Sequence, residues 1–87
     1  MLDQTKIIIR PHISEKTMRL IERENKLVFI VDRRANKLTI KEAIEKLYEV
    51  RVANVYTEIT SKGLKKAYVK LKPEHKATDL ATKIGVI

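Results

Sequence analysis

Lys66, Tyr68, Lys70 and Lys72 recur at alternate positions, with Ala67, Val69 and Leu71 between them. On a strand, alternation sends the two sets to opposite faces. Cations two residues apart then stand about 6.5–7 Å from one another. Such a row can follow a phosphate backbone, and a tyrosine within it can stack on a base or pack on a ribose. Tyr56 is expected on the same outer face of a paired strand. Around the row, residues 62–76 hold Lys62, Lys65, Lys66, Lys70, Lys72 and Lys76 against the single acid Glu74. Two further basic groups, Arg10-Pro11-His12 and Arg33-Arg34-Ala35-Asn36-Lys37, read as loops, where binding residues concentrate. Several basic loops around one small domain suit a folded RNA. A helix that reads DNA would concentrate charge along one face. Two structural alternatives stand beside this chemistry. The lysines would also protect an edge strand from aggregation, and His12, next to a proline, would serve as a turn residue with its own hydrogen bonds.

The rest of the composition narrows the field. The 87 residues carry 19 Lys and Arg against 11 Asp and Glu, a formal charge of +8. A folded domain with this surplus favours polyanions. The length fits one domain over residues 1–87, with no linker or repeat to divide it. There is no cysteine, and His12 and His75 are far apart, so no disulfide, metal site or cofactor is expected. Two glycines, Gly63 and Gly85, exclude a glycine-rich phosphate loop. Ser14 and Ser61 lack a nucleophile elbow. The carboxylates Glu42, Glu45 and Glu49 belong to a solvated helix face with no pocket to split their pKa values. No enzyme is expected. No run approaches the roughly 18 apolar residues of a membrane span, nor is there a secretory signal, so a cytoplasmic protein with no membrane insertion is expected.

The elements that must position the basic residues read in the order β-α-β-α-β-β-α. Residues 6–10 form a short β-branched strand closed by Pro11. Ser14 caps a helix with Thr17, Met18, Leu20 and Ile21 inward. Asn25 turns the chain into residues 26–32, apolar at Leu27, Val28, Phe29, Ile30 and Val31. Five successive apolar residues demand cover on both faces of the sheet. Thr39 and Glu42 suggest a capping box for a helix over residues 39–49, with Ile40, Ala43, Ile44, Leu47 and Tyr48 inward. Residues 51–60 place Ala53, Val55, Thr57 and Ile59 on one face. With residues 66–72 they form a hairpin turning at Gly63. A last helix buries Ala77, Leu80, Ala81 and Ile84 and stops at Gly85. The expected class is α+β, a mainly antiparallel four-stranded sheet with helices on both faces.

Four segments carry a resemblance. Residues 35–45, Ala-Asn-Lys-Leu-Thr-Ile-Lys-Glu-Ala-Ile-Glu, their continuation Leu47-Tyr48-Glu49-Val50-Arg51-Val52, the N-terminal Arg10-Pro11-His12-Ile13-Ser14-Glu15-Lys16 and the C-terminal Lys65-Lys66-Ala67-Tyr68-Val69-Lys70-Leu71 resemble the universal large-subunit ribosomal protein twenty-three family. The likeness covers about residues 6–85. It implies a protein that binds large-subunit rRNA beside the exit of the nascent-peptide tunnel, among neighbouring ribosomal proteins. By resemblance Arg10, His12, Arg33, Arg34, Asn36, Lys37, Lys66, Tyr68 and Lys70 are candidates for rRNA contact; Lys62, Lys65 and Lys72 join them from the charge pattern. In bacterial relatives an acid at the position of Glu15 contacts trigger factor, and the signal recognition particle uses the same neighbourhood. Two features depart from the bacterial pattern. The loop Thr60-Ser61-Lys62-Gly63-Leu64 is short where bacterial relatives extend a hairpin into the tunnel, so this chain looks like a compact, archaeal-type relative. Tyr56 stands where many relatives have asparagine.

The expected function is therefore a structural constituent of the large ribosomal subunit, in the cytoplasm, clamped electrostatically to rRNA and offering Glu15 for factor docking. A basic RNA-binding module outside the ribosome would bind any folded RNA alike. A protein-interaction domain would instead depend on the mixed-charge helix 39–49.

Overall fold

A computed structural model describes residues 4–86 of the chain. A short helical turn, α1 (Gln4–Ile7), leads into β1 (Ile8–Pro11); α2 (Glu15–Glu24), β2 (Lys26–Val31), α3 (Lys37–Tyr48), β3 (Val52–Ile59), β4 (Lys65–Leu71) and α4 (Ala77–Ile84) follow. The four strands form one antiparallel sheet in the order β1-β2-β4-β3. After the turn α1, the order is the expected β-α-β-α-β-β-α.

All five apolar residues of β2 are buried. Leu27, Phe29 and Val31 face the main core with Ala67, Val69 and Leu71 of β4, while Val28 and Ile30 face the other way and are also covered. On the core side α3 contributes Ile40, Ala43 and Ile44, α4 contributes Ala77, Leu80 and Ala81, and the Tyr48 ring stacks on Phe29 at 6.0 Å between centroids. From α2, Ile21 reaches this core, whereas Leu20 lines a hollow on the opposite face with Tyr56 and Tyr68. Helices thus stand on both faces, as the unbroken apolar run requires. Each of these large side chains contributes about 1.5–3 kcal/mol by leaving water.

The structure corrects four local expectations. Residues 6 and 7 are helical, not extended: buried Ile7 belongs to the core and its carbonyl accepts from the Asp32 backbone at 2.9 Å. A bulge between Ile8 and Arg10 then turns Ile9 outward, 59% exposed. The α3 cap is Asn36, whose side chain accepts from the Thr39 amide at 2.8 Å; Thr39 lies inside the helix, so no Thr39–Glu42 box forms. A second bulge, between Val52 and Asn54, makes Ala53 the extra residue, so Val52 rather than Ala53 is buried with Val55 packed nearby. Leu47 is exposed on the rim of the α3 stripe. The caps Ser14 and Gly85 and the turn at Gly63 are as expected, and both glycines have the positive φ that favours this residue.

Asn25 does more than turn the chain. Its backbone is left-handed, φ 57°, and ends α2. Its carbonyl accepts from the Leu71 amide at 3.1 Å. Its side-chain NH2 donates to the carbonyls of Leu71 (3.2 Å) and His75 (2.9 Å), and Oδ1 accepts from the Ala77 amide at 2.6 Å. Because Lys76 offers no side-chain cap of its own, Asn25 caps α4 from across the fold. Asn25→Ala loses these bonds and the residue's tolerance of left-handed backbone, and is expected to lower unfolding stability by about 2–3 kcal/mol. Asn25→Gly, which keeps the backbone freedom, should lose less. Urea unfolding of the three proteins measures both. Equal stability of all three would remove Asn25 from this role.

Candidate RNA-binding surface

The site is built on β4, which lies inside the sheet, paired with β2 along one side and β3 along the other. The lysines of β4 therefore do not protect an edge, and that structural alternative is excluded. Alternation places Lys66, Tyr68 and Lys70 on the face opposite the core. Arg10 stands across the sheet in line with Ile30 and Lys66, while Lys26 and Asn54 flank Lys70. Tyr56 pairs directly with Tyr68, their rings 5.8 Å apart and tilted by 53°. The shared outer face read from the sequence is thus present, and Lys72 continues it just past the strand end.

His12 joins the same face. Its amide donates to the Val28 carbonyl at 2.8 Å, extending the β1–β2 pairing. Partial burial, and then the nearby charges of Lys66 and Arg10, hold its pKa below the usual 6.5. At neutral pH His12 is thus an uncharged hydrogen-bonding group between two cations. Tyr68 is pushed above 10, first by desolvation and then by its hydrogen bond to Glu58, so its hydroxyl stays protonated and donates to Glu58 Oε1 at 3.2 Å.

A second group gathers at one end of the sheet. The loop after β2 and the β3–β4 turn come together there, with the Arg33 guanidinium against Gly63. Arg33, Lys37 and Lys62 are exposed. Two other candidates at this end are already engaged. Lys65 points to the core side of β4, and its ammonium donates to the Ala35 carbonyl, anchoring the loop. Arg34 forks onto Asp32, with Nε to Oδ1 at 3.0 Å and Nη2 to Oδ2 at 3.1 Å, while its backbone amide donates to Oδ1 at 2.8 Å. Asn36 spends its carbonyl oxygen on the α3 cap. Arg34 and Asn36 are candidates by resemblance and Lys65 by charge pattern, and neither signal shows the hydrogen bonds that already engage them.

Among the described residues, ion pairs join Glu15 to Arg19, Glu24 to Lys26 and Asp32 to Arg34. Arg10, Arg33, Lys37, Lys62, Lys66, Lys70 and Lys72 form none. Unpaired cations on a fixed sheet face suit a polyanion, whose phosphates replace water and counterions without breaking an existing pair. Glu15 is exposed in the first turn of α2, paired with Arg19, where an acid also suits the helix dipole. No helix among the described residues is long and apolar enough to cross a membrane.

The Arg34 fork, helped by the Arg34 backbone amide, holds the Asp32 carboxyl down to about 2. A native pKa below the unfolded value stabilises the fold above about pH 4, and this contribution is lost as pH falls through 2. Side-chain NMR titration should place the Asp32 midpoint near 2 in the native chain. In Arg34→Gln the midpoint should move up toward ordinary carboxylates. A midpoint unmoved by that substitution would contradict the fork as the cause.

Comparison with known proteins bears on what such a surface is for. A family model described as ribosomal protein L23 matches residues 6–78. Large ribosomal subunit protein uL23 of Methanococcus vannielii is 53% identical over 85 residues, covering 98% of this chain and 99% of that protein. The protein of the same name from Methanobrevibacter smithii matches with the same identity and coverage. Near-complete coverage on both sides means that these relatives are as compact as this chain, in keeping with the short 60–64 loop. The chain thus belongs to the ribosomal protein L23 family.

Proposed function

We propose that the chain is a non-catalytic, cytoplasmic constituent of the large ribosomal subunit. It binds large-subunit rRNA beside the peptide exit, among neighbouring ribosomal proteins. The observation that carries this reading is the row of unpaired cations on the outer face of β4, in a member of a ribosomal family. Arg10, Lys66, Lys70 and Lys72 neutralise phosphates across the sheet. Arg33, Lys37 and Lys62 do so at its end, and Tyr68 meets the sugar–base side of the chain. Arg34, Asn36 and Lys65 act by shaping the loop that presents their neighbours. α3 and α4, on the other side of the sheet, remain open to protein partners. Glu15 on α2 is the acid offered to a factor that meets emerging chains, the signal recognition particle among them.

Replacing Lys66, Lys70 and Lys72 together with Ala should leave the fold intact, because none supplies core surface. Affinity for a large-subunit rRNA fragment should fall on the order of tenfold or more at low salt. The slope of log affinity against log salt should shrink by about one for each phosphate that is no longer neutralised. Lys46→Ala on exposed α3 serves as the control. A folded triple variant with unchanged affinity and slope would sink the proposal.

His12 adds a pH signature. A bound phosphate offsets Lys66 and Arg10 and raises the pKa of His12, so binding takes up a proton. Affinity should rise as pH falls from 8 to 6, and His12→Gln should flatten that rise. A profile identical in both proteins would place His12 outside the interface.

A further inference from the structure

One hollow on the outer face has a chemistry that phosphate binding does not explain. It measures about 340 Å3 and lies between α2 and the sheet, lined by Lys16, Leu20 and Glu24 on the helix side, by Lys26 of β2, which pairs with Glu24, and by Asn54, Tyr56, Glu58 and Tyr68 of β3 and β4. Tyr56 is 60% exposed there, an aromatic platform with Tyr68 behind it. Glu58 sits directly across from Lys66 in the strand register, yet the two form no ion pair among the described residues. Instead Oε1 accepts from the Tyr68 hydroxyl, and no hydrogen bond among the described residues engages Oε2. A carboxylate repels phosphate. Placed beside an exposed aromatic face and ringed by lysines, it selects hydrogen-bond donors carried on an uncharged planar group.

We infer that this hollow holds a single unpaired guanine base of the bound RNA, stacked on Tyr56, with its Watson–Crick edge on Glu58. Guanine alone among the four bases presents two adjacent donors on that edge, the ring N1–H and the exocyclic amino group, and a carboxylate accepts both. Adenine, cytosine and uracil present one donor each. The edge must be free of a pairing partner, so the base comes from a loop or bulge, the RNA elements whose bases splay onto aromatic side chains. Lys16 at the rim and Lys66 and Lys70 along the strand neutralise the flanking phosphates. The inference rests on the rRNA-binding reading and adds to it a base-specific contact.

The test uses the full chain and single-stranded uridine hexamers carrying one central guanosine, inosine, adenosine, cytidine or uridine. The chain has no tryptophan, so in a Tyr48→Phe background emission comes from Tyr56 and Tyr68 and is quenched by stacking. The guanosine hexamer should bind about tenfold more tightly than the adenosine, cytidine and uridine ones. Inosine, which keeps N1–H and lacks the amino group, should fall between. Glu58→Gln should erase the ranking, and Tyr56→Leu should remove the quenching while preserving the fold. Equal affinity for all five hexamers, or a ranking that survives Glu58→Gln, would overturn the guanine site. If the rRNA fragment still binds with a steep salt slope in that event, the phosphate surface stands without it. Loss of fragment binding together with a retained guanosine ranking would overturn the ribosomal reading alone.

Discussion

The row of cations on the outer face of the sheet depends on β4 being held from both sides. Its backbone is hydrogen-bonded to β2 and to β3 along most of its length. Ala67, Val69 and Leu71 are fully buried beneath it. A strand so constrained cannot slip by one residue without driving lysines into the core and alanine, valine and leucine into water. The same register therefore fixes Lys66, Tyr68 and Lys70 on the outer face, with the spacing and direction of a rigid comb. Exposed lysines normally lose much of their free energy of contact to side-chain ordering. Here only the side chains remain to be ordered, because the backbone that carries them is already fixed.

Asn25 supports that constraint from the far end. It is the meeting point of α2, the start of β2, the end of β4 and the cap of α4. A single amide supplies donors and an acceptor to a chain segment more than forty residues away in sequence. Buried backbone groups must find partners, and the end of β4, the loop after it and the start of α4 find theirs in this one side chain. The cationic face and its helical backing are thus joined through one polar contact as well as through the apolar core.

The basic residues divide by what the fold has already done with their charge. Arg34 and Lys65 are held by Asp32 and by the Ala35 carbonyl, and together they set the course of the loop after β2. Arg33, Lys37 and Lys62 are left exposed by that course, and the β4 row forms no ion pair among the described residues. A positive patch of this kind attracts a polyanion at long range. It also leaves specificity to shape and to the few polar groups among the cations. His12, Asn54, Glu58, which pairs with no lysine among the described residues, and the Tyr56–Tyr68 platform are groups of this kind on the outer face.

Composition and patterning were enough for the class of the protein. The surplus of lysine and arginine, the two-sided apolar run at Leu27–Val31, the alternation over 66–72 and the helical stripe of α3 depend only on local periods, which side-chain chemistry dictates directly. From them came the α+β class, the strand and helix order, the outer face shared by Tyr56 and Tyr68, and the expectation of a polyanionic partner. Tertiary structure decided the rest, chiefly where a partner lies far away in sequence. The bulge at Ala53 exchanged Val52 for Ala53 in the core, since the register against Leu71 is set by the neighbouring strand. Asn36, not Thr39, caps α3 by accepting from the Thr39 amide, a choice between two nearby capping residues that spacing alone leaves open. The sheet order placed β4 in the interior, which periodicity cannot reveal, and so turned a row of lysines from an edge guard into an interior row on the outer face of the sheet, beside α2.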